Sequence, residues 1–173
     1  MPKNIEIKVR INNIEGIRRK IEKLNAEEAI EILQEDTFFK MEIGRLKLRT
    51  FSDGKGELIY YQRNDSAGPT RSDYLVYKTG EPEILKQVLE SGLGIRGVVK
   101  KNRLLYLFGT TRIHLDEVEN LGSFLEIEVV LKTEQNENEG MAIAEDLMRK
   151  LNIDKKDLVD GAYIDLLENN FRL

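Results

Sequence analysis

Charged side chains alternate with apolar ones in two segments near the ends of the chain. In Asn4–Ile11 the order is Asn-Ile-Glu-Ile-Lys-Val-Arg-Ile, so a β-strand would place Glu6 and Lys8 on one face and the apolar residues on the other. Phe124–Val129 repeats the alternation with Glu126 and Glu128. Carboxylate oxygens are ligands that hard divalent cations prefer. The two segments therefore carry acids suited to holding a metal ion.

Basic residues alternate in the same way in the segments between these two. The segments are Arg45-Leu46-Lys47-Leu48-Arg49, Tyr61-Gln62-Arg63, Lys101-Asn102-Arg103 and Arg112-Ile113-His114-Leu115-Asp116. Like charges side by side repel, so a row of cations is costly unless an anion or neighbouring carboxylates neutralise it. Each strand taken singly fits a solvent-facing polar face, which usually mixes both signs. The sorting of charge by strand instead favours a site for a metal-bound polyphosphate.

These side chains must be positioned by a sheet of many short strands. The alternation predicts eight strands, at Asn4–Ile11, Ala29–Phe39, Arg45–Phe51, Glu57–Arg63, Arg71–Lys78, Ile95–Phe108, Arg112–Val118 and Ser123–Lys132. Helices are predicted at Ile14–Leu24, Pro82–Gly92, Met141–Leu151, Asp154–Leu158 and Tyr163–Glu168, with Asn13 as an N-cap and with Leu85, Val88 and Leu89 in the core. An antiparallel sheet this wide tends to close. We therefore predict an α+β fold, an eight-stranded antiparallel β-barrel with a charged interior and helices packed outside.

Length and composition limit the other possibilities. The 173 residues suit one domain, 1–173. The net charge of −4 and the absence of an aromatic-basic repeat disfavour nucleic-acid binding. The chain has no cysteine, which excludes disulfides and thiolate chemistry. No signal peptide or long apolar run is present, so we expect a cytoplasmic protein with no membrane partner.

Asn4-Ile5-Glu6-Ile7-Lys8 resembles the ExExK signature of the CYTH superfamily, the triphosphate tunnel metalloenzymes, which include class IV adenylyl cyclases and thiamine triphosphatases. The resemblance covers nearly the whole chain and is greatest for the class IV cyclase branch. Further matching segments, in family order, are Asp36-Thr37-Phe38-Phe39, Arg45–Arg49, Lys101–Arg103, Arg112–Asp116, Glu126–Glu128 and Tyr163-Ile164-Asp165-Leu166-Leu167. Asn4 stands in place of the first Glu, and Tyr61 stands where many members have Lys. The resemblance implies a tunnel open at both ends.

The resemblance also implies roles for the charged residues. Glu6, Glu126 and Glu128 would bind Mg²⁺ or Mn²⁺, with Asp116 either a further ligand or a residue that orients the others. The side chains expected to bind phosphate are Lys47, Arg49, Arg63, Lys101, Arg103 and Arg112. Lys8 would act either as a general base or as the charge partner of Glu6, and His114 would either line the tunnel or serve a structural hydrogen bond.

Three functions fit such a tunnel. The leading prediction is metal-dependent hydrolysis of a small-molecule triphosphate, such as ATP, thiamine triphosphate or tripolyphosphate, because hydrolysis places the fewest requirements on the site. The alternatives are a class IV adenylyl cyclase, which converts ATP to cyclic AMP and pyrophosphate, and a non-catalytic sensor of polyphosphate or nucleotide. The changes at Asn4 and Tyr61 favour the sensor. The resemblance leaves a monomer and a homodimer both open.

Overall fold

Eight strands and four α-helices make up the part of the chain that this computed structural model describes, which is residues 3–24, 26–63 and 68–170. The strands are β1 (Lys3–Arg10), β2 (Ile30–Phe39), β3 (Arg45–Phe51), β4 (Gly56–Arg63), β5 (Thr70–Thr79), β6 (Ile95–Phe108), β7 (Thr111–Val118) and β8 (Gly122–Val130). The helices are α1 (Ile14–Glu22), α2 (Pro82–Leu93), α3 (Glu137–Leu151) and α4 (Tyr163–Asn170), and Lys155–Asp157 forms a short 3₁₀ turn. The α+β class is confirmed, and every predicted strand is present.

The strands close into an antiparallel barrel in the order β1-β5-β4-β3-β2-β6-β7-β8. Neighbouring strands run in opposite directions. One end of the barrel therefore holds the first residues of β1, β4, β2 and β7 and the last residues of β5, β3, β6 and β8. We call this end, which carries Asn4 and Glu128, the mouth, and the opposite end, which carries Arg10 and Arg45, the base. Side chains alternate between the barrel interior and its outer surface along each strand. The inner face carries the charged residues singled out above on β1, β3, β4, β6 and β8, such as Glu6, Lys47 and Arg103.

The main hydrophobic core lies outside the barrel rather than within it. The outward side chains of β1 and β8, such as Ile7 and Ile127, pack under α1 and α3. Asn13 caps α1, as predicted, by accepting a bond from the Gly16 amide at 2.8 Å. α3 begins at Glu137, before its predicted start at Met141, because Asn136 and Glu139 form a capping box. This core holds four barrel strands rigid and leaves their inner faces free to be polar.

A second hydrophobic cluster closes the base of the barrel. Phe38, Val99 and Phe124 point inward there and are covered by Tyr163 and Ile164 of α4. The expectation of a tunnel open at both ends is therefore wrong for this chain. The apolar inner residues at the base need a cover, and α4 and the turn before it provide one.

α2 lies against the outer surface of β2 and β3 and has little contact with the rest of the molecule. Its Val88 is 63% exposed, and Leu85 and Leu89 are only half-buried, so the prediction that these three residues belong to the core is wrong. The reason is that the helix packs on the outer surface of β2 and β3, and no other element of the described residues covers its opposite face. None of the helices in the described ranges is both long and apolar enough to span a bilayer.

The close approach of α3 to the barrel gives a test of this packing. A Cβ at Gly140 would lie 2.5 Å from Leu131 Cδ2 and 2.8 Å from Ile5 Cγ1. We expect Gly140→Ala to lower the free energy of unfolding by about 1–3 kcal/mol in urea titrations, because overpacking outweighs the gain in helix propensity. Gly92→Ala in α2 is the matched control, since a Cβ there meets nothing within 4 Å. It should stabilise by about 0.5–1 kcal/mol. Equal effects of the two substitutions would contradict the packing described.

Candidate active site

Three acidic side chains of the interior, Glu6, Glu126 and Glu128, lie on two adjacent strands, β1 and β8. The register places Glu6 directly opposite Glu128 and Lys8 directly opposite Glu126. Two carboxylates in opposite positions destabilise a sheet unless a cation lies nearby. Burial raises the pKa of Glu6, and the neighbouring Glu128 and Glu126 raise it further. This acidic wall therefore has the electrostatic character of a cation-binding surface.

Four of the basic side chains lie in two groups that are each held by a buried aspartate, and one of them, Arg103, also donates to Glu126 on the acidic wall at 2.6 Å. In the first group Asp36 of β2 accepts bonds from Lys47 Nζ at 2.8 Å and from Arg49 Nε at 2.8 Å. Burial alone would raise the pKa of Asp36, but Arg49 and Lys47 outweigh it and hold the pKa well below its usual value. Asp36 is 2% exposed, so this is a buried charge cluster. The two cations are thereby fixed in position side by side.

The second group repeats the arrangement on β6 and β7. Asp116 accepts a bond from Arg103 Nε at 2.6 Å and another from Lys101 Nζ at 3.2 Å, and the Tyr163 hydroxyl donates to it at 2.9 Å. Asp116 is fully buried, and Arg103 and Lys101 hold its pKa below the usual value against the effect of burial. Its oxygens are already used by protein groups. Of its two expected roles, this geometry favours orienting its neighbours over binding a metal.

The remaining expected phosphate-binding residues sit near the acids. Arg63 donates to Glu6 Oε2 at 2.9 Å and to the Gly161 carbonyl at 2.6 Å. Arg112 of β7 lies opposite Glu128 and contacts its Oε2 at 3.3 Å. All six cations named from the sequence thus line one cavity of about 410 Å³ together with Glu6, Glu126, Glu128 and Lys8. Asp116, the fourth expected acid, lies behind Lys101 and Arg103 and does not line the cavity itself.

Lys8 is the most enclosed cation on the acidic wall. Its Nζ donates to the Gly161 carbonyl at 2.9 Å, lies 3.5 Å from Glu126 Oε1 and stands 4.0 Å from the centre of the Tyr163 ring. Burial lowers the pKa of Lys8 to about 8, and it lowers the pKa of Lys47 to about 8 as well. Lys8 and Lys47 therefore give up a proton closer to neutral pH than an exposed lysine does, whereas the arginines stay charged.

The donor set on the acidic wall suits a hard divalent cation. Asn4 donates through Nδ2 to Glu128, which leaves its buried Oδ1 without a hydrogen-bond partner. His114 Nδ1 is also buried without a hydrogen bond, 3.8 Å from Glu126 Oε2, and burial lowers the pKa of His114 so that the ring is neutral. Across the described residues no three such side chains already converge at metal-binding separation, since each acid is engaged by a cation. The oxygens of Glu6, Glu126 and Glu128, with Asn4 Oδ1, fit Mg²⁺ or Mn²⁺.

Sequence reasoning left three features of the site without a role. Asp36 and Tyr163 fell in matched segments, but nothing indicated that they bind the cations. Gly161 contributes only its backbone carbonyl, which accepts bonds from Lys8 and Arg63, so no side chain in the sequence indicated this role. The spacing of Asp36 from Lys47 and Arg49 across one hairpin could have identified the first group. Tyr61 lies in the cavity within 5.8 Å of Lys47, where it adds an aromatic face in place of a cation.

Comparison with known proteins agrees with this geometry. The chain matches the CYTH domain over residues 2–163. It is 27% identical to a protein of Methanocaldococcus jannaschii named as a candidate adenylate cyclase, with 94% of this chain and 97% of that one covered. The structure of the PH1012 protein from Pyrococcus horikoshii is similar with a TM-score of 0.85 and 32% identity, covering 94% and 98% of the two chains. A conserved hypothetical protein from Pyrococcus furiosus shares the fold with a TM-score of 0.84, 22% identity and coverage of 94% and 99%.

The first cation group makes stability depend on pH in a defined direction. Because the folded-state pKa of Asp36 is depressed, its contribution is present above the unfolded value of about 3.9 and is lost as the pH falls through the folded value. We expect Asp36→Asn to lower the free energy of unfolding at pH 7 by about 3–5 kcal/mol, since Lys47 and Arg49 lose their buried counter-charge. The difference from wild type should shrink as the pH is lowered from 5 towards 2.

Urea titrations across this pH range provide the measurement. Asp53→Asn is the control, because Asp53 pairs with Lys55 in an exposed turn, and its midpoint should stay that of wild type. A difference for Asp36→Asn that stays constant with pH would show that the carboxylate does not stabilise the fold through its charge.

Proposed function

The chain belongs to the CYTH domain family, and on that premise we propose that it is a metal-dependent triphosphatase whose substrate lies inside the barrel. The observation that carries the proposal is that one cavity holds a wall of acids on β1 and β8 and two aspartate-held groups of cations, one of which reaches Glu126 through Arg103. A triphosphate with a bound divalent ion has the complementary distribution of charge. The match over residues 2–163 also supports our proposal that residues 1–173 form one domain.

The cations would bind the phosphates in two ways. Arg63 and Arg112 can each donate two parallel hydrogen bonds to phosphate oxygens. Arg49 and Arg103 would donate through the N–H groups that Asp36 and Asp116 leave unused, and Lys47 and Lys101 would act as point charges. The aspartates reduce the freedom of these side chains before substrate arrives, so less entropy is lost on binding. Stabilising charge on a phosphoryl group during transfer is the main source of catalysis in this class of reaction.

Glu6, Glu126 and Glu128 are the residues that would hold the metal, with Asn4 Oδ1 as a neutral ligand. The ion, Mg²⁺ or Mn²⁺, supplies a Lewis acid that neutralises phosphate charge. For the acids to serve as ligands, Arg63, Arg103 and Arg112 would each turn a donor from its carboxylate towards the substrate phosphates. Cations that neutralise acids in the free protein would then neutralise phosphates in the complex. Asp116 stays a positioning residue in this scheme.

Lys8 is the residue we propose to receive the proton of the attacking water. It is fixed by the Gly161 carbonyl and the Tyr163 ring beside Glu126, so it can act without rearrangement of the backbone. Transfer to a positioned base contributes about 10²–10⁴-fold to rate. The other role, balancing the charge of Glu6 and Glu126, needs only a permanent cation at this place.

The same groups could support adenylyl cyclisation, in which the ribose hydroxyl of ATP attacks the α-phosphorus and pyrophosphate leaves. The name of the Methanocaldococcus jannaschii relative favours this second candidate. The two reactions differ in which phosphorus lies beside the base. They are told apart by their products, orthophosphate or cyclic AMP.

A turnover assay tests the proposed role of the acidic wall. Purified protein is incubated with Mg²⁺ or Mn²⁺ and with tripolyphosphate, ATP or thiamine triphosphate, and the products are separated by chromatography. We expect orthophosphate from wild type and at least a 10²-fold loss of kcat/KM in Glu126→Gln and Glu128→Gln, because each loses a charged metal ligand. Glu117→Gln is the control, since Glu117 is exposed on the outer face of β7. Formation of cyclic AMP and pyrophosphate instead would show that the reaction is cyclisation and not hydrolysis. Binding without any product would show that the protein is a sensor.

A second prediction separates the two roles of Lys8. Lys8→Arg keeps the charge, but a guanidinium does not give up its proton near neutral pH. We expect kcat to fall at least 10²-fold while KM changes less than about threefold. Lys100→Arg, on the exposed outer face of β6, should leave both constants unchanged. Full activity of Lys8→Arg would show that Lys8 only balances charge.

A further inference from the structure

The chain contains a single histidine, His114, and its ring lies inside the barrel beside the acidic wall. His114 is on the inner face of β7, where the strand register places it directly opposite Glu126 of β8. β7 lies between β8 and β6, the strand that carries Lys101 and Arg103. The residue is 6% exposed. An uncharged imidazole therefore stands between the acids of the cavity and one of its two groups of cations.

Both ring nitrogens of His114 face carboxylates of the acidic wall. Nδ1 lies 3.8 Å from Glu126 Oε2, and Nε2 lies 4.0 Å from Glu128 Oε2. These separations are too long for hydrogen bonds. Two ligands of one ion stand about 3–4 Å apart, because each lies about 2.0–2.2 Å from the ion. Each nitrogen and its carboxylate are thus at a separation that a shared cation can bridge.

The Nδ1 atom of His114 is buried and has no hydrogen-bond partner among the described residues. A buried polar atom without a partner is destabilising, and an aliphatic side chain on this strand would avoid that loss. Asn4 Oδ1 is a second such atom beside Glu128, and Asn4 is 1% exposed. Two buried atoms that can bind a metal ion, one nitrogen and one oxygen, are therefore left unused next to the acids.

We propose that His114 Nδ1 is a ligand of the divalent ion held by Glu126 and Glu128, and that this nitrogen increases the preference of the site for Mn²⁺ over Mg²⁺. The inference rests on the proposed function for the presence of an ion at the acidic wall. Imidazole nitrogen suits first-row transition ions, whereas Mg²⁺ takes oxygen ligands and loses its water reluctantly. The Nε2–H group would donate to Glu128, since a ligating histidine usually donates its other N–H to a carboxylate.

Electron spin-echo spectroscopy of bound Mn²⁺ tests the ligand directly, because a coordinated nitrogen nucleus modulates the echo. The full chain without an affinity tag is mixed with Mn²⁺ and pyrophosphate, which keeps metal and polyphosphate together but is not a triphosphate substrate. With one histidine in the sequence, an imidazole signal can come from His114 alone. We expect ¹⁴N modulation in wild type, a ¹⁵N pattern after labelling with ¹⁵N-histidine, and loss of the signal in His114→Gln. The label leaves the structure unchanged, so it decides the question even where the variant folds poorly.

The affinities for the two ions separate a ligand from a residue that only shapes the cavity. Competition between Mn²⁺ and Mg²⁺ is followed through the spectrum of free Mn²⁺, again with pyrophosphate present. We expect His114→Gln to weaken Mn²⁺ binding at least about tenfold and Mg²⁺ binding less than about threefold. Glu117→Gln, on the exposed outer face of β7, is the control and should match wild type for both ions.

Three results would overturn the inference: no Mn²⁺ bound to the wild-type protein, an echo without nitrogen modulation, or equal weakening of both ions in His114→Gln. Failure of the proposed function gives a different result. Nitrogen modulation without orthophosphate in the turnover assay would refute the triphosphatase and support His114 as a metal ligand.

Discussion

The structure depends on the balance of charge inside a closed barrel. Placing lysines and arginines in an enclosed space costs free energy because they lose water and repel one another. Asp36 and Asp116 offset that cost locally, each by holding a lysine and an arginine two residues apart on a neighbouring strand. The acids of β1 and β8 complete the balance by pairing with Arg63, Arg103 and Arg112. A change in any of these groups therefore affects both the stability of the barrel and the position of the binding groups.

The base of the barrel shows how packing and charge are linked. Donors on separate strands, Lys8 and Arg63, bind one carbonyl at Gly161. Asp165 of α4 accepts bonds from Arg45 of β3 and Arg96 of β6 at 2.8 and 2.6 Å. Since these strands lie around the circumference, the segment that joins them must cross the end of the barrel. The same segment supplies the aromatic ring that Lys8 and Lys101 approach at 4.0 and 4.7 Å. The segment that closes the base of the barrel therefore also positions the cations inside it.

Much of this could be predicted from the sequence because a strand has a period of two. The alternation in Asn4–Ile11 assigned Glu6 and Lys8 to one face, and the sheet rules then required closure. What could not be predicted depends on contacts between distant segments. α4 closes the base through tertiary contacts of Tyr163 with Asp116, 47 positions away, and local pattern carries no information about them. The exposure of Val88 is similar, because a helical period shows which residues share a face and not whether anything packs on it.

The free protein holds its acids and bases in mutual pairs, and this bears on how a ligand could be accepted. Arg63 and Arg112 occupy the oxygens of Glu6 and Glu128 that a divalent ion would need. A metal alone would have to displace these cations and leave them without counter-charge, and a polyphosphate alone would meet carboxylates. If a metal and a polyphosphate arrived together, each of these ion pairs could be exchanged for an equivalent one. Binding of the two should therefore be strongly coupled, with each raising the affinity for the other by the same factor, as linkage requires. The coupling would come from the ion pairs on the acidic wall, including the bond from Arg103 to Glu126, while Asp36 and Asp116 hold the remaining donors of their cations.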